Sequence, residues 1–213
     1  MTKYGKVTVA LIAVWFAFVL SASALRLFHN DSNRIGVAVG LAALAPIALF
    51  SLWFAASNGF KQFALSLNPR ALTYVQSWRI IGLIFVILEA RGILPTMFAL
   101  PAGYGDMAIG ATASFVAWKL TNPRNRFSFI LWQALGIADL VTAVSLGTTA
   151  PLLNPHGIST SAMTVLPLSL IPTFLVPMFL IFHVICIAQA KSWSSISHNV
   201  HQTARPVQDF ATH

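Results

Sequence analysis

Apolar residues run in long, nearly uninterrupted blocks along this chain, separated by short polar stretches. A hydrocarbon core about 30 Å thick takes about 20 mostly apolar helical residues to cross. Six blocks meet that length, at 7–25, 35–57, 75–99, 102–120, 127–147 and 164–190. The third and fourth are almost continuous. They are divided at Gly92-Ile93-Leu94-Pro95 and at Pro101-Ala102-Gly103-Tyr104-Gly105, because clusters of Gly and Pro punctuate helices. Left joined, they would make five spans with one bent segment. Between the second and third blocks, Phe60, Phe63, Ala64 and Leu67 recur at helical spacing opposite Lys61, Gln62 and Ser66. That pattern predicts a short helix over about 58–68 lying in the membrane interface. The stretch 191–213 is rich in Ser, His, Gln and Thr and reads as a polar, disordered tail. The expected fold is an all-α integral membrane bundle of six transmembrane helices, one domain over 1–190.

Composition strengthens this reading. Of 213 residues, 57% are hydrophobic and only 8% charged, against about 25% charged in soluble domains. A water-soluble enzyme, a disordered chain and a disulfide scaffold are excluded together. The balance of 13 Lys+Arg against 5 Asp+Glu would suggest nucleic acid in a soluble protein. Here the bases sit at the ends of apolar blocks, where cytoplasmic loops collect them, so no nucleic-acid partner is expected. With the N-terminus inside, Lys3, Lys6, Lys61, Arg70, Lys119, Arg124, Arg126, Lys191 and Arg205 fall on the cytoplasmic side, and Arg79 is expected to snorkel there. Arg26, Arg34 and Arg91 fall outside. Both termini are therefore expected in the cytoplasm. Trp53, Trp78, Trp118 and Trp193 are expected at the inner interface, where an amphipathic indole is favoured. The run Val7–Leu20 followed by Ala22-Ser23-Ala24 resembles a signal peptide, but a retained first helix is the expectation because five more spans follow.

Three of the five acids, Glu89, Asp106 and Asp139, lie inside spans, with Arg79 and Arg91 near them. Intramembrane charges are expensive and are functional suspects by default. Depth along the expected spans lets the three acids converge in the outer half, with Arg91 as counter-charge. Two readings compete: salt bridges locking the bundle, or acceptors on a proton or cation pathway. Of six histidines only His183 lies well inside a span, and it is expected to hydrogen-bond another helix. No haem pair, metal motif or other cofactor is expected. Gly36 and Gly40 form a G-x-x-x-G element suited to close helix contact, within the chain or between copies. Pro167, Pro172 and Pro177 predict a bent last helix.

Two local resemblances stand beside these readings. Gly103-Tyr104-Gly105-Asp106 is similar to the GxGD motif of intramembrane aspartyl proteases. That likeness implies a dyad of Asp106 with a second aspartate, for which Asp139 is the candidate. In those families the partner aspartate precedes GxGD, whereas here only Glu89 does, and no Pro-Ala-Leu element occurs in the last helix. Separately, Arg79-Ile-Ile-Gly82, Ala90-Arg-Gly-Ile-Leu-Pro95 and Phe98-Ala-Leu-Pro-Ala-Gly-Tyr-Gly-Asp106 resemble a pattern in small uncharacterised bacterial membrane proteins. That resemblance implies a bacterial inner membrane and no particular activity. The functional expectation is a small-solute, proton or cation transporter or channel-like protein. The alternatives are a GxGD-type protease and a non-catalytic assembly or sensor subunit.

Overall fold

A computed structural model of the chain describes residues 2–29, 37–154 and 156–203, with the side chains of 151, 152 and 194–203 outside the description. Among the described residues every regular element is helical. The principal helices are α1 Lys3–Ala24, α2 Val37–Ala56, α3 Asn58–Leu65, α4 Pro69–Ala90, α5 Thr96–Lys119, α6 Arg126–Leu153 and α7 Val176–Thr203. Among the described residues five segments are long and apolar enough to cross a membrane: Lys3–Ala24, Val37–Ala56, Pro69–Ala90, Pro123–Ala150 and Ile171–Trp193. The remaining long helix, α5, has 24 residues but dilutes its apolar content with Asp106, three glycines and a proline.

Between α4 and α5 the chain punctuation differs from expectation at one place. Gly92 adopts φ +68° and closes α4 in the way glycine permits. The Gly92 amide donates to the Glu89 carbonyl at 2.7 Å and the Ile93 amide to Leu88 at 2.9 Å. Pro95 then caps α5, which runs unbroken through Pro101, Gly103 and Gly105. The expected second split at 101–105 is therefore absent. Pro101 falls within the first two turns, so only the bond its missing N–H would have made is lost. Asp106 consequently lies nearly three turns into α5, deeper than the expected span start at 102 implied.

α4, α5, α6 and α7 form the central bundle, and α1 and α2 flank it on the side of α7. Two apolar cores bracket the bundle along its length. One joins Phe85, Leu94, Phe98, Ala102 and Met163. The other joins Ile109, Ala113, Val116, Phe129, Trp132 and Cys186. α1 is held by Val19, Ala22 and Phe28 against Ala42, and by the Trp15 indole donating to the Thr173 carbonyl at 3.2 Å. The stretch expected as an interfacial helix is helical over Asn58–Leu65, with Ser57 capping it and Phe60 and Ala64 buried. Trp53 of α2 stacks on Phe60, ring centroids 3.8 Å apart.

The last apolar block does not form one continuous helix. Residues 161–164 make a 3-10 turn, Ile171–Leu175 a π-helical turn, and the α-helix begins at Val176. Pro172 lies in the π turn, where its missing N–H leaves no α-helical bond to break. α7 then extends through Thr203, so the beginning of the stretch expected as a disordered tail is helical.

Candidate functional site

The middle of α4 is wound as a 3-10 helix over Gln76–Gly82. At 3.0 residues per turn, positions three apart eclipse each other. Thr73, Gln76, Arg79, Gly82 and Phe85 are accordingly all buried in one line facing the bundle. Arg79 is 2% exposed and about ten residues from either end of a 22-residue helix, so it lies at mid-depth. The expectation that it snorkels to the cytoplasmic side is overturned, because its guanidinium has partners inside. Trp78, its neighbour in the same turn, sits at that mid-depth on the outer face of the bundle, away from any helix end.

Four donor contacts hold the guanidinium. Nε donates to Asp106 Oδ1 of α5 at 2.7 Å, and Nη2 donates to Asp139 Oδ2 of α6. Nη1 reaches the Gly136 carbonyl at 3.3 Å and His183 Nε2 of α7 at 3.2 Å. Since an arginine can only donate, Nε2 is the acceptor, and the imidazole carries its proton on Nδ1. That Nδ1 in turn lies 2.5 Å from Gln133 Oε1. Gln133 Nε2 donates to Thr73 Oγ1 at 3.1 Å, and Thr73 meets the Cys186 thiol at 3.8 Å. Four helices thus contribute to one polar network running from mid-depth toward α3. With His183 neutral, one guanidinium faces two carboxylates, and the pair carries one negative charge in excess.

Glycines make room for this cluster. A Cβ on Gly105 would collide with the Asp139 carboxylate, one on Gly82 with Asp106, and one on Gly136 with the His183 ring. Gly103 and Gly110 let the α5 backbone lie directly on that of α4, at Gly82 and Ile80. Small residues are how helices approach closely in lipid, where apolar burial gives no net drive to associate.

A cavity of about 110 Å³ leads to the cluster. It lies between α2 (Val39, Gly40, Ala43) and the central bundle, with Asp106, Phe85 and Leu140 among its lining residues. Its lining along α6 runs from Leu140 to Thr148, about 12 Å, and Ser159, Thr160 and Ser161 lie at the far end. A smaller cavity of about 30 Å³ also touches Arg79 and Asp106 and is lined by Trp78, Ile81, Leu175 and Phe179.

The family model described as "Domain of unknown function (DUF8737)" matches residues 32–190. The chain belongs to this family. The matched stretch contains every residue of the cluster and of both cavities, and leaves out α1. No curated protein and no solved structure matches the chain.

The four residues singled out from sequence divide into two pairs. Asp106 and Asp139 are brought together by Arg79. Glu89 and Arg91 are not part of that group. Glu89 accepts from the Thr96 hydroxyl at 2.7 Å across the α4–α5 turn, and Arg91 is exposed beside it. The expected convergence of three acids fails because Glu89 lies ten residues, about 15 Å, along α4 from Arg79. Sequence reasoning assigned Arg79 to topology and so missed its partners, although the triplet spacing of Thr73, Gln76, Arg79 and Gly82 marks the buried line. Gly40 lines the cavity with open space where a side chain would begin, and Gly36 lies outside the described residues. Among the described residues, no group of three His, Cys, Asp or Glu is placed to hold a metal ion.

Proposed function

We propose that the chain is a six-span bacterial inner-membrane protein with both termini cytoplasmic, and that it acts as a small transporter or channel-like protein. Its proton- or cation-accepting site is the Asp106–Arg79–Asp139 cluster. α5 serves as the sixth span: 24 residues reach about 36 Å, and its lower apolarity comes from the glycines, Pro101 and Asp106 that it carries. Removing Arg79 from the topology count leaves nine cytoplasmic bases against Arg26, Arg34 and Arg91, still a clear inward bias. The cavity then opens outward, at the end carrying Ser159–Ser161.

One observation carries the reading: Asp106, one of two carboxylates that share a guanidinium, lines the inner end of a cavity. A lone excess charge in low dielectric must be neutralised by a proton or a cation. The cavity supplies the route by which either arrives. An aspartyl-protease dyad, by contrast, needs a proton shared between its two carboxylates to activate water. Arg79 takes one oxygen of each, a counter-charge that a shared-proton dyad does not need, which supports ion handling over hydrolysis.

The test is reconstitution into liposomes enclosing a pH-sensitive dye, with an imposed proton or cation gradient. The wild-type chain is expected to dissipate the gradient, and Asp106→Asn and Asp139→Asn to abolish that flux while remaining folded. Undiminished flux in both folded variants overturns the proposal. Loss of stability with no flux in any form assigns the cluster to bundle assembly.

A further inference from the structure

The cavity above Asp106 is chemically lopsided. Its walls are mostly apolar, Phe85, Phe98, Leu140 and Met163 among them, with hydroxyls only from Thr148, Ser159, Thr160, Ser161 and Thr164, and its charge is the single carboxylate at the inner end. Among the described residues no Lys or Arg lines it. Asp106 Oδ1 is taken by Arg79, and Oδ2 accepts no hydrogen bond among the described residues. An anionic ligand finds no counter-charge here. A bare metal cation would need several oxygen ligands in place of its water, and among the described residues Asp106 is the only carboxylate on these walls. What fits is an apolar body carrying one positive head. The volume, about 110 Å³, is about three-quarters that of engineered cavities that hold one benzene ring, about 150 Å³, which limits the body to one ring. Phe85 and Phe98, with centroids 5.5 Å apart and planes tilted by 52°, offer ring faces and edges to such a body and to a cation beside it.

We infer that the cavity binds a small monocationic amine, with an apolar body about the size of one aromatic ring and its ammonium on Asp106. The inference rests on the proton- or cation-accepting role of the cluster and specifies what is accepted. Before binding, a proton neutralises the excess carboxylate of the pair. On binding, R–NH3+ forms the ion pair with the carboxylate and that proton leaves to water. One positive charge replaces another, so the site stays neutral. Ligand and proton are thereby coupled one for one.

The experiment is isothermal titration of the full chain in detergent with three near-isosteric probes: benzylammonium, benzyl alcohol and benzoate. Buffers of different ionisation heat report protons released. Benzylammonium is expected to bind best and to release one proton per molecule bound. Asp106→Asn should weaken it about 30-fold or more, the cost of truncating one partner of a buried charge pair, and abolish proton release. Binding of benzyl alcohol should be the same in wild type and Asp106→Asn, which also shows that the variant is folded. Ala143→Phe fills the cavity one turn along α6 from Asp139 and should remove both ligands. Benzoate or benzyl alcohol binding wild type as well as benzylammonium does overturns the inference, as does amine binding that survives Ala143→Phe. Amine binding absent while dye-reported flux persists sinks the ligand class alone. Amine binding intact with no flux sinks the transport reading alone.

Discussion

Replacing Arg79 with Gln tests the cluster most directly. The substitution removes the only cation among the described residues bonded to Asp106 and Asp139, and all four of its donor contacts. Breaking a buried ion pair by deleting one partner costs about 3–5 kcal/mol. An independent limit comes from protonation. The stranded carboxylate can be neutralised by one further proton, and an ordinary carboxyl near 3.9 costs about 4 kcal/mol to protonate at pH 7. The two figures agree, so Arg79→Gln is expected to lose about 3–4 kcal/mol at pH 7. The sign of the pH dependence follows. The folded variant holds one more proton than wild type, so acid favours it, and its deficit shrinks by about 1.4 kcal/mol per pH unit on going below 7. Cys186 supplies the assay. It is the only cysteine, it is fully buried, and its thiol meets Thr73 and the Pro69 carbonyl. Maleimide labelling across a denaturant series therefore reports opening of the bundle. Adding Asp106→Asn and Asp139→Asn to the Arg79→Gln variant removes the stranded charges and should recover most of the loss. Labelling midpoints for Arg79→Gln within about 0.5 kcal/mol of wild type, or no gain on acidification, would refute the reasoning.

Gly105→Ala places a methyl against the Asp139 carboxylate and is expected to cost about 1–3 kcal/mol, read by the same labelling, with flux reduced. Gly92→Ala meets no neighbour but must adopt φ +68°, so it should cost about 1–2 kcal/mol and leave flux unchanged. Gly40→Val enters open space beside the cavity. It should weaken benzylammonium binding while stability holds and the mass measured by light scattering is unchanged. A shift in that mass would instead place Gly40 between copies of the chain. Glu89→Gln keeps an acceptor for Thr96 in an exposed turn, and stability within about 0.5 kcal/mol with full flux is expected.

Helix positions were legible because lipid demands long apolar runs, and the turn at Gly92 was legible because that position needs a left-handed backbone. The same residue types misled one helix later. Gly103 and Gly105 look like punctuation, yet they sit mid-helix because α4 and the Asp139 carboxylate press against them. In a soluble helix glycine marks weakness, whereas in lipid it marks contact. Arg79 was obscured by a rule that uses basic residues only as topology markers. Its depth became readable through a period of three, which the 3-10 winding over Gln76–Gly82 converts into a single buried line. Partners on other helices leave no trace in spacing. Nothing along the chain ties Gln133 to His183 or Asp139 to Arg79.

The four letters Gly-Tyr-Gly-Asp therefore have a packing explanation that owes nothing to proteolysis. Gly103 admits the α4 backbone, Gly105 admits Asp139, and Asp106 then falls within 2.7 Å of Arg79. A motif that brings an aspartate hard against a neighbouring helix serves any chemistry needing a carboxylate at depth, and the partner decides which. Opposite a second carboxylate alone, the pair can share a proton and activate water. Opposite a guanidinium that bonds both, each oxygen so engaged is withheld from that role, and in the proposed function the excess charge is left for a proton or an ammonium. The distinction is measurable on a model transmembrane peptide. The wild-type chain should leave it intact, and cleavage that disappears with Asp106→Asn would return the motif to the proteases.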